Sequence, residues 1–228
     1  MSFSPAGWRR GFLRAQPLAV GVFGYAVAFG LLASEAGLSV LEAALMSATV
    51  YSGSAQVATV GGLAAGAGIL ASVVTVLMLN ARYLLYGASL RPWLSQSTPG
   101  QAYASLYFLG DGNWLLSMNA RNAGEQDAGF VFGSGIAMFL PWVVGTLLGS
   151  VAGSWLGRPE LLALDFLLVA FCAAMATDLF KSRGDLWTVA VALAVALGVE
   201  RLAPSGWTIV ATGLAGIVAG YFRHEERA

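Results

Sequence analysis

Polar side chains crowd into one segment of the sequence that is otherwise apolar. Within ten positions this segment contains Ser47, Thr49, Tyr51, Ser52, Gly53, Ser54 and Gln56. Because Ser52-Gly53-Ser54 is a poor helix former, we expect an unwound turn there, which would present backbone N–H groups to an anion as the broken helices of transporters do. Such a turn suits the carboxylate of an amino acid, and the apolar residues around it suit an apolar side chain. The alternative is a regular helix whose small polar residues bond to neighbouring helices.

Charged side chains in or beside the apolar segments are the next candidates for chemistry. Asn80-Ala81-Arg82 could clamp a carboxylate with two hydrogen bonds, or Arg82 could extend to the lipid headgroups. Asp165 lies a few residues inside an apolar segment. A charged aspartate at the centre of a membrane helix costs about 2.5 to 3.5 kcal/mol. Asp165 therefore needs a proton or a partner such as Arg82 or Arg158. We interpret Asp165, and secondly Asp111, as candidates for proton coupling; an interhelical lock is the other interpretation of Asp165.

The composition identifies lipid rather than water as the main solvent of the chain. Hydrophobic residues make up 57% of the 228 residues and charged residues 11%, whereas a soluble domain carries about 25% charged residues. The formal net charge is zero, which argues against binding of nucleic acid through a basic surface. Cys172 is the single cysteine and has no partner for a disulfide or a cysteine metal site. The sequence predicts no cofactor and no metal.

The apolar segments predict an all-α polytopic bundle of about seven to eight transmembrane helices, the second of them broken. The predicted spans lie near 16–34, 39–60, 64–80, 129–150, 160–180 and 204–222, with a shorter run at 186–199. The stretch 82–119 is ambiguous, because Arg91-Pro92 and the polar residues 95–101 interrupt it; we expect one full crossing and one re-entrant or tilted half. The first apolar run is too long for a cleaved signal, so the chain is predicted to be one membrane domain, 1–228.

Two further patterns concern topology and packing. A cytoplasmic N-terminus places eight of the twelve basic residues, Arg9, Arg10, Arg14 and Arg121 among them, on the inner side. Most tryptophans fall near span ends, but Trp114 and Trp142 do not. A weak echo between 31–37 and 147–153 raises the prospect of two structural halves, 16–119 and 129–222.

Glycine spacing predicts close helix contacts. Two glycine sets recur at about one helical turn and would allow another helix to approach closely: Gly145, Gly149 and Gly153, and Gly213, Gly216 and Gly220. These faces could receive a partner subunit or another helix of the same chain.

Several motifs resemble the AzlC family of branched-chain amino-acid permeases over nearly the whole chain. They are Ala28-Phe29-Gly30, Ala36-Gly37-Leu38-Ser39, Met46-Ser47, Tyr51-Ser52-Gly53-Ser54-Ala55-Gln56, Asn80-Ala81-Arg82-Tyr83, Tyr86-Gly87-Ala88-Ser89-Leu90, the segment of Asp111, and Leu164-Asp165-Phe166 with Phe171. The sequence departs from the family at Asp111-Gly112-Asn113-Trp114, where we expect Asp-Glu before an aromatic residue.

The resemblance implies the larger subunit of a two-component exporter of the LIV-E type. Such a protein exports branched-chain amino acids, in some members methionine, across the bacterial cytoplasmic (inner) membrane, is driven by the proton gradient, and works with a small AzlD-like membrane subunit. With this resemblance the substrate-binding candidates are Tyr51, Ser52, Gly53, Ser54, Gln56, Asn80 and Arg82, and the coupling candidates are Asp165 and Asp111.

Two other functional classes remain alternatives at the level of sequence. One is a channel or scaffold whose activity depends wholly on a partner. The other is a membrane enzyme, for which the sequence offers neither Gly-x-Ser-x-Gly nor His-Glu-x-x-His, so no catalytic residue is predicted.

Asp165→Asn tests the coupling role of Asp165. The change keeps size and hydrogen bonding but removes the titrating group, so driven flux should be lost while substrate exchange is retained. Flux into proteoliposomes with and without a pH gradient measures both activities. A structural lock would instead lower both activities together with the amount of folded protein, and wild-type driven flux would end the coupling role.

Overall fold

The computed structural model describes residues 3–64, 66–95, 97–156, 185–202, 211, 212, 214–216, 218 and 219. Over these residues the chain is helical and contains no strand, which confirms the predicted all-α membrane bundle. The helices are α1 (Pro5–Glu35), α2 (Val40–Val50), α3 (Gly53–Ala64), α4 (Ile69–Asn80), α5 (Arg82–Leu94), α6 (Pro99–Tyr107), α7 (Asp111–Asn122), α8 (Gly129–Leu156) and α9 (Asp185–Leu202). The predicted spans 160–180 and 204–222 lie mostly or wholly outside the described residues.

Three helical stretches are long and apolar enough to cross a bilayer within the described part of the chain. They are Pro5–Glu35, Ile69–Leu94 and Gly129–Trp155, and the shorter apolar helices are Val40–Thr49 and Leu186–Val199. Helix starts follow local capping chemistry: Ser4 caps α1 with Pro5 in its first turn, and Ser39 forms a capping box with Glu42 at α2.

The stretch 82–119, whose hydropathy is ambiguous, contains α5, α6 and most of α7. Helix α4 leads through Ala81 directly into α5, and together they give the stretch Ile69–Leu94 that is long and apolar enough to cross a bilayer. Pro92 is accommodated because it lies in the last turn of α5, where its missing N–H removes only one helical hydrogen bond. The segment around 102–118 is divided into α6 and α7.

The chain forms two compact units. The first unit comprises Met1–Gln56 and Asn80–Pro159, and the second comprises Val57–Leu79 and Glu160–Ala228. Every described candidate site residue belongs to the first unit. The most extensive helix packing in this unit is between α1 and α8. The single domain with halves 16–119 and 129–222 remains a prediction.

Glycines on α8 allow α1 to pack against it at backbone contact distance. A Cβ atom at Gly145 would come 2.7 Å from the Cβ of Ala26, and one at Gly153 would come 2.7 Å from the Cβ of Ser34. At Gly149 it would collide with the backbone of α1. The predicted close-contact face of Gly145, Gly149 and Gly153 is therefore confirmed, and α1 of the same chain occupies it.

Acidic residues of the α7–α8 loop tie the start of α1 to the start of α8. The Asp127 carboxylate accepts hydrogen bonds from the backbone N–H and the hydroxyl of Ser4, and from the backbone N–H of Gly129 at 3.0 Å. Arg10 donates two hydrogen bonds to Glu125, at 2.8 and 2.9 Å. The charged groups thus close one end of the first unit.

Glu125→Gln should lower the melting temperature at neutral pH, with a loss that disappears in acid. The hydrogen bond from Arg10 holds the pKa of Glu125 below its ordinary value of 4.5. A carboxyl with a lowered pKa in the folded state stabilises above its unfolded pKa, and this stabilisation is lost as the pH falls through the folded pKa. Thermal unfolding of wild type and variant from pH 7 to about pH 3 measures the difference.

Arg10→Gln serves as the matched variant, because it removes the other half of the same ion pair. It should show the same pH-dependent loss, and the double variant should lose no more than either single change. If the melting temperatures of wild type and Glu125→Gln differed by the same amount at neutral and at acid pH, this account would be contradicted.

Candidate functional site

The predicted break in the second span is present and begins one residue earlier than expected. Helix α2 ends at Val50, Tyr51 adopts a left-handed conformation with φ of 42° and ψ of 48°, and α3 begins at Gly53. For a residue with a side chain this conformation costs roughly 1 to 2 kcal/mol, so surrounding contacts must hold it. The Tyr51 ring packs edge-on against Phe139 of α8 at 5.0 Å between centroids.

A second helix break lies beside the first and was not predicted. Helix α6 ends at Tyr107, and Gly110 caps the start of α7. The Tyr51 ring comes within 3.7 Å of the position that a Cβ atom on Gly110 would take, and the Tyr107 hydroxyl donates a hydrogen bond to the carbonyl of Ala48 on α2. The run Leu109-Gly110-Asp111-Gly112, with two glycines, was the available signal.

Gln56 spans the first break with its side chain. Its Oε1 accepts hydrogen bonds from the Ser52 backbone N–H at 3.3 Å and from the Trp142 indole N–H at 3.1 Å. Its Nε2 donates to the Ser47 hydroxyl at 2.9 Å, and Ser47 is 2.8 Å from the hydroxyl of Thr146. Gln56 is fully buried, and its hydrogen bonds position the broken helix.

Arg82 connects the two breaks. Its Nη2 donates to the Ser54 hydroxyl in the first turn of α3 at 2.8 Å and lies 3.0 Å from Oδ2 of Asp111, the first residue of α7. The Tyr86 hydroxyl donates to Oδ1 of the same carboxylate at 3.0 Å. The ring of Tyr83 lies under the guanidinium, 5.5 Å from its carbon to the ring centroid. A candidate for carboxylate binding and a candidate for proton coupling are thus direct partners.

Polar atoms next to this ion pair have unused bonding capacity. Arg82 Nε and the Asn80 side-chain oxygen are buried and make no hydrogen bond. The Ser52 hydroxyl is also buried and lies near Tyr83, but it makes no hydrogen bond of good geometry. The side chains of Arg82 and Asp111 are nevertheless 32% and 48% exposed. A ligand can therefore reach the pair, and buried donors are present to receive it.

The start of α3 adds backbone donors to the same place. The first N–H groups of a helix have no acceptor within the helix, and the helix dipole favours an anion there. Gly53 lies so close to the rings of Tyr25 and Trp142 that a Cβ atom would come 2.5 and 2.9 Å from them. Only glycine fits at this first position of α3.

Two tryptophans that sequence analysis found outside the interfacial positions belong to this region. Trp142 bonds to Gln56, as described above. Trp114 stacks on Tyr86 with 4.4 Å between centroids and donates its indole N–H to the Ser89 hydroxyl at 2.8 Å. Both indole N–H groups therefore serve internal polar networks, and their unusual position along the chain was a usable signal for them.

The structure brings together most of the candidate residues. Tyr51, Ser52, Gly53, Ser54, Asn80, Arg82 and Asp111 lie at or beside the two breaks, with Tyr83 and Tyr86 as neighbours that sequence reasoning missed. Asp165 lies outside the described residues. Among the described residues no group of three His, Cys, Asp or Glu side chains could hold a metal ion.

Gln56→Met should destabilise the fold, because it leaves the Ser52 N–H and the Trp142 indole N–H without acceptors. Each buried donor left unpaired costs about 1 to 3 kcal/mol, so we expect a loss of at least about 2 kcal/mol in the free energy of unfolding. Denaturant unfolding of the purified protein measures it. Gln16→Met is the control, since Gln16 is exposed and bonds only within its own helix. Equal stability of the two variants would refute the bridging role of Gln56.

Comparison with known proteins identifies relatives of this chain. Residues 17–156 match the family model described as AzlC protein. The inner membrane protein YgaZ of Escherichia coli is 30% identical over 210 residues, covering 90% of this chain and 84% of that protein. The branched-chain amino acid transport protein AzlC of Bacillus subtilis is 25% identical over 166 residues, covering 72% and 65%. An uncharacterized membrane protein of Archaeoglobus fulgidus is 28% identical over 213 residues, covering 92% and 93%. No solved structure matches the chain.

Proposed function

The chain belongs to the AzlC protein family, and from this membership and the site geometry we propose that it is a transporter subunit that exports branched-chain amino acids, and also methionine. The observation that carries the proposal is Arg82, a partly exposed cation held at a helix break inside an apolar bundle, next to the N-terminus of α3. The Bacillus subtilis relative is named a branched-chain amino acid transport protein. Export, as opposed to uptake, rests on the family resemblance.

Coupling to the proton gradient is the second part of the proposal. Asp111 lies within the site and contacts Arg82 directly, so a proton on its carboxylate would remove the counter-charge of Arg82. Substrate and proton binding would then act on the same pair of side chains. Asp165 remains the other candidate.

A small AzlD-like partner subunit completes the proposed transporter. The face of Gly145, Gly149 and Gly153 is occupied by α1, so the partner would use another surface. The proposed location is the bacterial cytoplasmic (inner) membrane with the N-terminus inside. This orientation is supported by the positions of Arg10 and Arg121, which both lie beside the α7–α8 loop at one end of the first unit.

Counterflow of radiolabelled valine and methionine in proteoliposomes tests the function. Saturable counterflow is expected when the chain is reconstituted with its small partner, and Arg82→Gln should reduce it by at least about tenfold, because a charge-assisted clamp on the carboxylate is lost. Arg14→Gln, an exposed arginine on α1, should leave it unchanged. Non-saturable flux would indicate a channel, and full flux by the chain alone would refute the need for a partner.

A further inference from the structure

The ion pair between Arg82 and Asp111 has the chemistry of an amino acid's two charged ends. We propose that a zwitterionic α-amino acid binds by replacing this ion pair, with its carboxylate on Arg82 and its ammonium group on Asp111. The inference rests on the proposed transport function and adds how the substrate class is recognised. Before substrate binds, Asp111 takes the place of the substrate carboxylate at Arg82, and Arg82 takes the place of the substrate ammonium group at Asp111.

Arg82 can receive a carboxylate without losing its position. Its Nη2 is anchored by the Ser54 hydroxyl and its central carbon lies over the Tyr83 ring, so the guanidinium is held by two neighbours. A guanidinium has five N–H donors, and the buried Nε makes no hydrogen bond. A carboxylate that displaces Asp111 can therefore bind to Nε and a neighbouring amino group together, the bidentate geometry that arginine favours. The positive end of the α3 helix dipole favours the same charge.

Asp111 remains fixed when it releases Arg82. The Tyr86 hydroxyl donates to Oδ1, whereas Arg82 contacts Oδ2, so the two partners use different oxygens. Tyr86 is itself held by the stacked ring of Trp114. Once the contact with Arg82 is broken, Oδ2 can accept a hydrogen bond from the ammonium group of the substrate. The start of α7 favours the negative charge of Asp111 at this position.

Charge balance explains why both ends are required. The site is neutral with the ion pair closed and neutral again with a zwitterion inserted. A simple carboxylic acid would displace Asp111 and leave its charge without a partner, and an amine would do the same to Arg82. An uncompensated charge in apolar surroundings is costly, so the pair excludes ligands that carry only one of the two groups.

Exchange of partners also changes what connects the helices. With the pair closed, Arg82 on α5 is bonded directly to Asp111 on α7 and to Ser54 on α3. With a substrate inserted, the link between α5 and α7 runs through the bound molecule. Binding would thereby separate the two breaks by the length of an amino-acid backbone.

Competition binding with valine and its two single-charge analogues tests the proposal. The full chain, purified with its co-expressed partner, is given radiolabelled valine, and unlabelled valine, 3-methylbutanoate, which lacks the ammonium group, and 2-methylpropylamine, which lacks the carboxylate, compete for it. In the wild type both analogues should compete at least about tenfold more weakly than valine, the effect of one lost charge-assisted contact.

Variants of the two residues should each lower a different one of these two preferences. In Asp111→Asn the preference for valine over 3-methylbutanoate should fall by about tenfold, because Arg82 no longer has an internal competitor and the substrate ammonium has lost its partner. Arg82→Gln should reduce the preference for valine over 2-methylpropylamine instead. Asp111→Glu, which keeps the charge, should restore the first preference. Glu125→Gln, which removes a carboxylate paired with Arg10 away from the site, should leave both unchanged.

The outcomes separate this inference from the proposed function. Wild-type preferences in a folded Asp111→Asn protein would overturn the inference while valine export stood. If that variant does not fold, Tyr86→Phe supplies the test, because it weakens the hold on Asp111 and should reduce the same preference; an unchanged preference there overturns the inference too. Valine that binds with the expected preferences but is not transported would overturn the export function and leave the site in place.

Discussion

Hydrocarbon offers no hydrogen-bond partners, and an unsatisfied backbone group there costs several kcal/mol. Both helix breaks in this chain meet that constraint in the same way. At the first, the Ser52 N–H donates to the side-chain oxygen of Gln56; at the second, the Gly110 N–H donates to the side-chain oxygen of Asn113. Each amide is fully buried and also bonds to α8, Gln56 through Trp142 and Asn113 through the carbonyl of Val131. Helix α8 is thus the common support of both breaks.

Helix α8 in turn packs against α1 at backbone contact distance. Glycines on both helices bring the two backbones into contact, and the Ser150 hydroxyl donates across the interface to the carbonyl of Gly30 at 3.2 Å. Compared with this helix pair, the charged groups at the breaks are held by few contacts: Arg82 and Asp111 each have the other and one hydroxyl group, and Arg82 also lies over the Tyr83 ring. The distribution suits a transporter, since the scaffold keeps the broken ends in place and leaves the charged pair free to exchange partners.

Sequence reasoning found the break and the charged residues, but it could not pair them. The low helix propensity of Ser52-Gly53-Ser54 is a local property, and so is the cost of a charge in an apolar segment. The contact between Arg82 and Asp111 depends on where α6 ends, and that break lies in the stretch 82–119, whose hydropathy is ambiguous. Gln56 shows the same limit. Its polarity marked it as important, but only the structure shows that its side chain turns toward Ser47 and Trp142 and serves the backbone.

The departure from the family pattern at Gly112 fits the chemistry of a neutral site. The resemblance led us to expect a glutamate after Asp111, but a Cβ atom at Gly112 would already lie 3.2 Å from the sulfur of Met138 on α8. A longer acidic side chain would have to displace that contact, and it would add a second negative charge beside Asp111. With glycine there, Arg82 faces one carboxylate in the ion pairs of the described residues. One cation opposite one anion is the arrangement that a zwitterion can replace without leaving a charge behind.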